Sequence, residues 1–360
     1  MGSAAPKATG VTLQTHPLLN TAAKSGMLVA IVTLRYPMRP FLVASLSLHW
    51  VRNTLIVCLL AVSVGVARTH AAPPLGVDLD HFDHAKQVAR LPNGISLGYI
   101  DQGPRNGPVV VLIHGYTDSA RDWVPLLPYL DPRFRLLLVD IRGHGLSSKP
   151  ECCYDRVDFA YDIKLLLDTL GIEKADIVGH SLGSLIGQSF AETWPERTRR
   201  LVLVSSTGGP IAECPATQHE VASLDFRSEI QKLSDPIDPE SPFMIEWWAS
   251  PTPVDENFLK RQRADAARIP VKVWLAILDQ GLTGLELQTA LPKIQAPTLL
   301  IWGAKDPIFG ERDRCSLIHG LPKAQVTLYK DLGHNSFWEE PETVGARLNQ
   351  FLLDAPAAKP

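Results

Sequence analysis

The strongest constraint on the fold is an alternation of short, wholly apolar runs with longer segments of helical period. VVVLIH at 109–114 is an unbroken β-branched stretch, the pattern of a strand covered on both faces. RLLLVDI (135–141), ADIVGH (175–180), LVLVSS (201–206), TLLIWG (298–303) and QVTLYK (325–330) repeat it. ISLGYID (95–101) reads as a further strand before a turn at 104–108. Between these runs, residues 155–172 carry Val157, Ala160, Tyr161 and Leu165 at helical spacing and stop at Gly171. The stretch from Ser181 to Trp194 is helical until Pro195, and Val344, Leu348, Phe351 and Leu352 mark a closing helix. Such alternation predicts an α/β protein, a parallel sheet with helices on both faces.

One stretch breaks the rhythm. Residues 207–297 contain no clear buried strand but do contain helical patterns, among them VKVWLAILDQGL at 271–282. About ninety residues is too long for a loop in a compact domain. The expected organisation is therefore a core of residues 72–206 and 298–354, a helical cap at 207–297 and a flexible tail at 355–360.

The first 71 residues are of another kind. They hold six basic residues and no Asp or Glu, so the remaining 289 carry a formal charge of −9 although the whole chain is at −3. Residues 54–67 (TLIVCLLAVSVGVA) are uncharged, with Arg52 before them and Ala71 at a small-residue cleavage pattern, the parts of a secretory signal. The run is shorter than the roughly 20 residues that span a bilayer. Seventy-one residues exceed the usual signal length, whereas a start at Met38 would leave thirty-four. Export is the expectation. The alternatives are an uncleaved anchor, the one route to membrane contact, or an organelle-targeting peptide. The acidic remainder argues against nucleic acid or anionic surfaces as partners and suits a soluble domain that meets neutral, apolar molecules.

The chemistry centres on GHSLG (179–183), which fits G-x-S-x-G with a strand leading in and a helix leading out. That context holds the Ser181 hydroxyl out on a tight turn. A serine is a weak nucleophile and needs a base, oriented by an acid, in chain order Ser, Asp, His. Asp306 follows the strand TLLIWG, and His334 follows QVTLYK. Asp331 is a rival acid, and His180 and His144 are rival bases. HGY (114–116) follows the strand VVVLI, where the amide of Tyr116 would join that of Leu182 in an oxyanion hole. His114, Arg142 and His144 read as residues that fix loops. DIRGHGLSSKP (140–150) lacks the GxxxxGK of a phosphate loop.

Together HGY with Trp123 downstream, DIRGHGLSS, GHSLG, WGAKDP and LGHNSFWEEPE make the chain resemble the α/β-hydrolase superfamily, in its capped, esterase-like branch. The resemblance covers residues 95–353. It implies an eight-stranded, mostly parallel sheet with the cap between the sixth and seventh strands. It also implies Ser181 as nucleophile, His334 as base and Asp306 as orienting acid, with no metal or cofactor. Ser181 at the elbow disfavours dehalogenases and epoxide hydrolases, which carry Asp there, and HGY disfavours lipases of the HGGG type. Hydrolases of carbon–carbon bonds stay open, although they usually carry another residue at the position of His180.

The implied reaction is acyl transfer from a small-molecule ester to water. A lactonase, carbon–carbon hydrolase or perhydrolase, or a ligand receptor on the same scaffold, are the alternatives. Tyr116, Trp247, Trp248, Trp274 and Trp338 are candidate substrate contacts. Trp247 and Trp248 cannot both face one way on a helix, so one of them at most is expected to line the pocket. Past the leader, Cys152, Cys153, Cys214 and Cys315 allow three pairings, with a link from Cys152 or Cys153 to Cys214 as one candidate.

Overall fold

In the chain's computed structural model, helix α1 (Leu79–His84) starts at Asp78, whose carboxylate accepts the amides of Asp80 and His81. The structure describes residues 75–214, 226–283 and 286–354. The expected leader at 1–71 and tail at 355–360 lie outside it. An antiparallel pair follows, β1 (Gln87–Arg90) and β2 (Ser96–Gln102). Next come β3 (Val109–Ile113), a 3-10 helix (Ala120–Tyr129), β4 (Arg135–Val139), α2 (Arg156–Thr169), β5 (Ala175–His180), α3 (Leu182–Thr193) and β6 (Thr198–Val204).

Among the described residues, four α-helices intervene before the sheet resumes: α4 (Phe226–Ile230), α5 (Pro242–Trp247), α6 (Glu256–Ala266) and α7 (Val271–Ile277). The chain closes with β7 (Thr298–Gly303), α8 (Glu311–Gly320), β8 (Gln325–Tyr329), α9 (Ser336–Glu339) and α10 (Pro341–Leu353).

The eight strands form one sheet in the order β1-β2-β4-β3-β5-β6-β7-β8. Only the pairings of β2, with β1 and with β4, are antiparallel. From β4 to β8 the strands run parallel. Every residue of β4, β5 and β7 is buried, as covering on both faces requires. β8 is the exposed edge, with Val326 and Leu328 about half exposed.

Local sequence sets the boundaries. Asp155 caps α2 by accepting the amides of Val157 and Asp158. The helix ends where Gly171 turns to φ +65° and the Ile172 amide reaches back to the Leu167 carbonyl, a Schellman closure. The segment 271–282 is α-helical only to Ile277 and then widens into a π-turn at Leu278–Leu282. Gln280 in that turn accepts the Tyr154 amide at 2.9 Å, a tie to the core that periodicity does not reveal. The cysteines pair as Cys214–Cys315, joining the start of the insertion to α8, and as the neighbours Cys152–Cys153. A link between Cys214 and either of that pair is thereby ruled out.

Candidate active site

The parallel strands point their C-terminal ends at one rim of the sheet, and every expected chemical group follows one of them. Ser181 comes directly after β5 with φ 51° and ψ −118°, a backbone shape that non-glycine residues rarely adopt. The turn closes tightly. A Cβ at Gly179 would run into the Gly183 carbonyl, and one at Gly183 into the Ile113 carbonyl. This is why glycine stands on both sides of the serine. The Ser181 amide is anchored to the Val204 carbonyl at 3.0 Å.

Asp306 follows β7 and His334 follows β8. The imidazole Nδ1 lies 2.9 Å from each carboxylate oxygen of Asp306. Asp306 is steered in turn by the amides of Ile308 (2.8 Å) and Phe309 (3.1 Å). Burial alone would raise the Asp306 carboxyl, but the adjacent His334 charge, its hydrogen bond and the two amides hold it below its ordinary range. For His334, burial pulls down, and the charge and hydrogen bond of Asp306 outweigh it, so the imidazole sits above its usual value. Both shifts describe one ion pair. The His334 carbonyl accepts from the Ser205 hydroxyl at 2.6 Å, which fixes the loop that carries the ring.

Ser181 and His334 line one cavity of about 700 Å³. Among the hydrogen bonds of the described residues, none joins their side chains directly. Asp331 is not part of the site: its carboxylate is 73% exposed and faces Lys305. His180 is locked, with Nδ1 3.1 Å from Asp122 and Nε2 3.3 Å from the His334 carbonyl. Burial first, and the His334 charge second, push it down to about 3, so it stays neutral. His144 is used up in accepting the Thr117 amide (3.2 Å), and His114 in accepting that of Ile141 (3.1 Å). Arg142 forks onto Asp162 at 2.7 Å and reaches the Cys153 carbonyl.

The amides of Gly115 and Thr117 are both taken by side chains, Asp122 and His144, leaving that of Tyr116 between them. Leu182 opens α3, so its amide has no carbonyl one turn earlier to bond. The Tyr116 hydroxyl donates to the Trp274 carbonyl at 2.7 Å and ties this loop to the insertion.

The candidate pocket residues divide. Tyr116, Trp247 and Trp248 line the cavity, whereas Trp274 and Trp338 are fully buried outside it. Trp338 donates to the backbone carbonyl (2.8 Å) and side chain (3.0 Å) of Asp122. Trp274 packs behind Trp247 with ring centres 5.6 Å apart. Both members of the Trp247–Trp248 pair face the cavity, against expectation. Helix α5 ends at Trp247, so Trp248 leaves helical geometry at φ −105°, ψ 20° and swings to the same side. Trp247 donates to Thr117 and Trp248 to Asp118, both at 2.9 Å.

Asp118 is the residue sequence reasoning missed. It lines the cavity, accepts from Trp248 and Gln262, and is 5% exposed. Burial, then the neighbouring Asp122, push its carboxyl up to about 8. Ligand atoms of Asp118, Asp122 and His180 lie within 4.8 Å of one another. Those of Asp122 and His180 are already spent on Gly115, on Trp338 and on each other, so the cluster reads as a hydrogen-bonded support under His334.

The fold and the rim geometry define a class. The alpha/beta hydrolase fold family model matches residues 108–278 and 213–341, and the chain belongs to that family. It is 32% identical over 293 residues to a 2-hydroxy-6-oxononadienedioate/2-hydroxy-6-oxononatrienedioate hydrolase of Paraburkholderia phymatum, covering 75% of this chain and 94% of that one. It is 29% identical to the dihydrolipoyllysine-residue acetyltransferase component of the acetoin cleaving system of Pseudomonas putida, covering 74% and 69%. The structure of a hydrolase from Pseudomonas aeruginosa PA01 superposes with TM-score 0.57 at 25% identity, over 75% of this chain and 98% of that one. The chain is a hydrolase of this fold.

Proposed function

We propose that the protein is a serine hydrolase that cleaves a carboxylic ester of a small or medium apolar molecule through an acyl-enzyme. The observation that carries this reading is Ser181 on its strained turn, sharing a cavity with a His334 that is gripped by Asp306. His334 takes the Ser181 proton as the hydroxyl attacks the carbonyl, and its imidazolium is stabilised by Asp306. The amides of Tyr116 and Leu182 receive the oxyanion. His334 then returns the proton to the leaving alcohol, and water, deprotonated by the same ring, releases the acid. Asp306 keeps the imidazole in the tautomer that leaves Nε2 free to accept.

Ser181→Ala should abolish turnover of short p-nitrophenyl esters while circular dichroism and melting temperature stay as in the parent. Undiminished turnover would sink the reading. A second reading, carbon–carbon bond hydrolysis, is favoured by the 32% identity to the Paraburkholderia phymatum protein, whose name describes a dicarboxylate. A cavity whose described lining holds no lysine or arginine weighs against it for this chain. Export, with residues 1–71 removed, remains our proposal for where the enzyme works.

A further inference from the structure

The outer wall of the cavity over Ser181 is acidic. Glu229 and Glu246 line it beside the protonated Asp118, and among the described residues no lysine or arginine does. Asp118 lies deep, whereas Glu229 and Glu246 are exposed on α4 and α5. Glu229 is paired with Lys232, but among the described residues Glu246 has no ion-pair partner. The same wall is aromatic. Around Trp247, ring centres lie 5.2 Å away in Phe226, 5.3 Å in Phe243 and 5.9 Å in Tyr116. The hydrogen bond from Trp247 to Thr117 pins the indole in place.

These features act together. An anion entering past α4 and α5 meets the carboxylates of Glu229 and Glu246 and the negative faces of rings, with no lysine or arginine among the described lining residues to offset them. A cation finds both a counter-charge and polarisable π surface, which is how aromatic cages hold quaternary ammonium groups. Methyl groups on that nitrogen would also bury apolar area against the rings. We infer that the cavity selects esters bearing a cationic alkylammonium group, seated beside Trp247 with Glu246 as its counter-charge while the acyl carbon reaches Ser181. The inference rests on the ester reading above, and it narrows the substrate from an apolar ester to one with a positive, methyl-clad head.

The test pairs isosteres that differ only in charge, acetylcholine and 3,3-dimethylbutyl acetate. Binding to full-length Ser181→Ala is measured by tryptophan fluorescence and calorimetry, and turnover is measured on the parent enzyme. The cationic member should bind about tenfold more tightly. Glu246→Gln should lower that ratio severalfold, and Glu246→Lys should lower it further. The preference should also weaken as salt is added. Equal binding of the two isosteres, or a ratio untouched by Glu246→Lys, would overturn the inference even if both esters are hydrolysed. A persistent ammonium preference with no ester turnover would instead remove the ester reading and leave the cation site standing.

Discussion

Ser181, His334 and Asp306 come from three loops 125 and 28 positions apart in sequence, yet each follows a parallel strand, so one rim collects them. The Asp306 contact raises the basicity of His334, and this has a measurable sign. The ring works as a base only when neutral, so kcat/KM should fall as pH drops through its pKa. The contact with Asp306 places that limb above the ordinary imidazole range. Asp306→Asn should move the limb to lower pH and cut kcat by about 10⁴-fold. A pH–rate profile of parent and variant checks both, and an unmoved limb would contradict the role given to Asp306. Asp118 makes a different prediction. Its raised carboxyl keeps a proton in the native state that the unfolded chain has given up. Stability should therefore decline as pH rises from the usual carboxylate range to about 8. Asp118→Asn, which can still accept from Trp248, should flatten that decline in urea titrations at several pH values.

Among the elements, the sheet strands are legible in the sequence because burial on both faces writes itself as unbroken apolar runs. The catalytic candidates inherit that clarity, since strand ends locate Ser181, Asp306 and His334. The insertion is less legible. The side-by-side placement of Trp247 and Trp248 depends on where α5 stops, and the burial of Asp118 depends on Trp248, 130 residues later. In YTDS, Asp118 looks like any turn residue. Trp338 is likewise assigned to the pocket by its closeness in sequence to His334, but its indole finds a better partner in buried Asp122. The Cys214–Cys315 bond clamps the root of the insertion to α8 across 101 residues. By chain entropy a loop of that size stabilises by about 4.7 kcal/mol. The double variant Cys214→Ser, Cys315→Ser should therefore lose about 3–5 kcal/mol of unfolding free energy relative to the oxidised protein. A loss below about 1 kcal/mol would show that other contacts already hold the insertion.

For the whole molecule, the net charge of −3 conceals a basic first segment, residues 1–71, and an acidic remainder. If export is correct, amino-terminal sequencing of secreted protein should read a mature start near residue 72. An intact Met1 in a membrane fraction would instead favour an anchor. The central claim is that Ser181 is a nucleophile activated by His334. The most direct measurement is intact-protein and peptide mass spectrometry after a fluorophosphonate probe. We predict one adduct per chain, on the peptide containing GHSLG, absent in Ser181→Ala and strongly slowed in His334→Ala. No adduct on the folded parent protein, or an adduct that survives Ser181→Ala, would contradict the account.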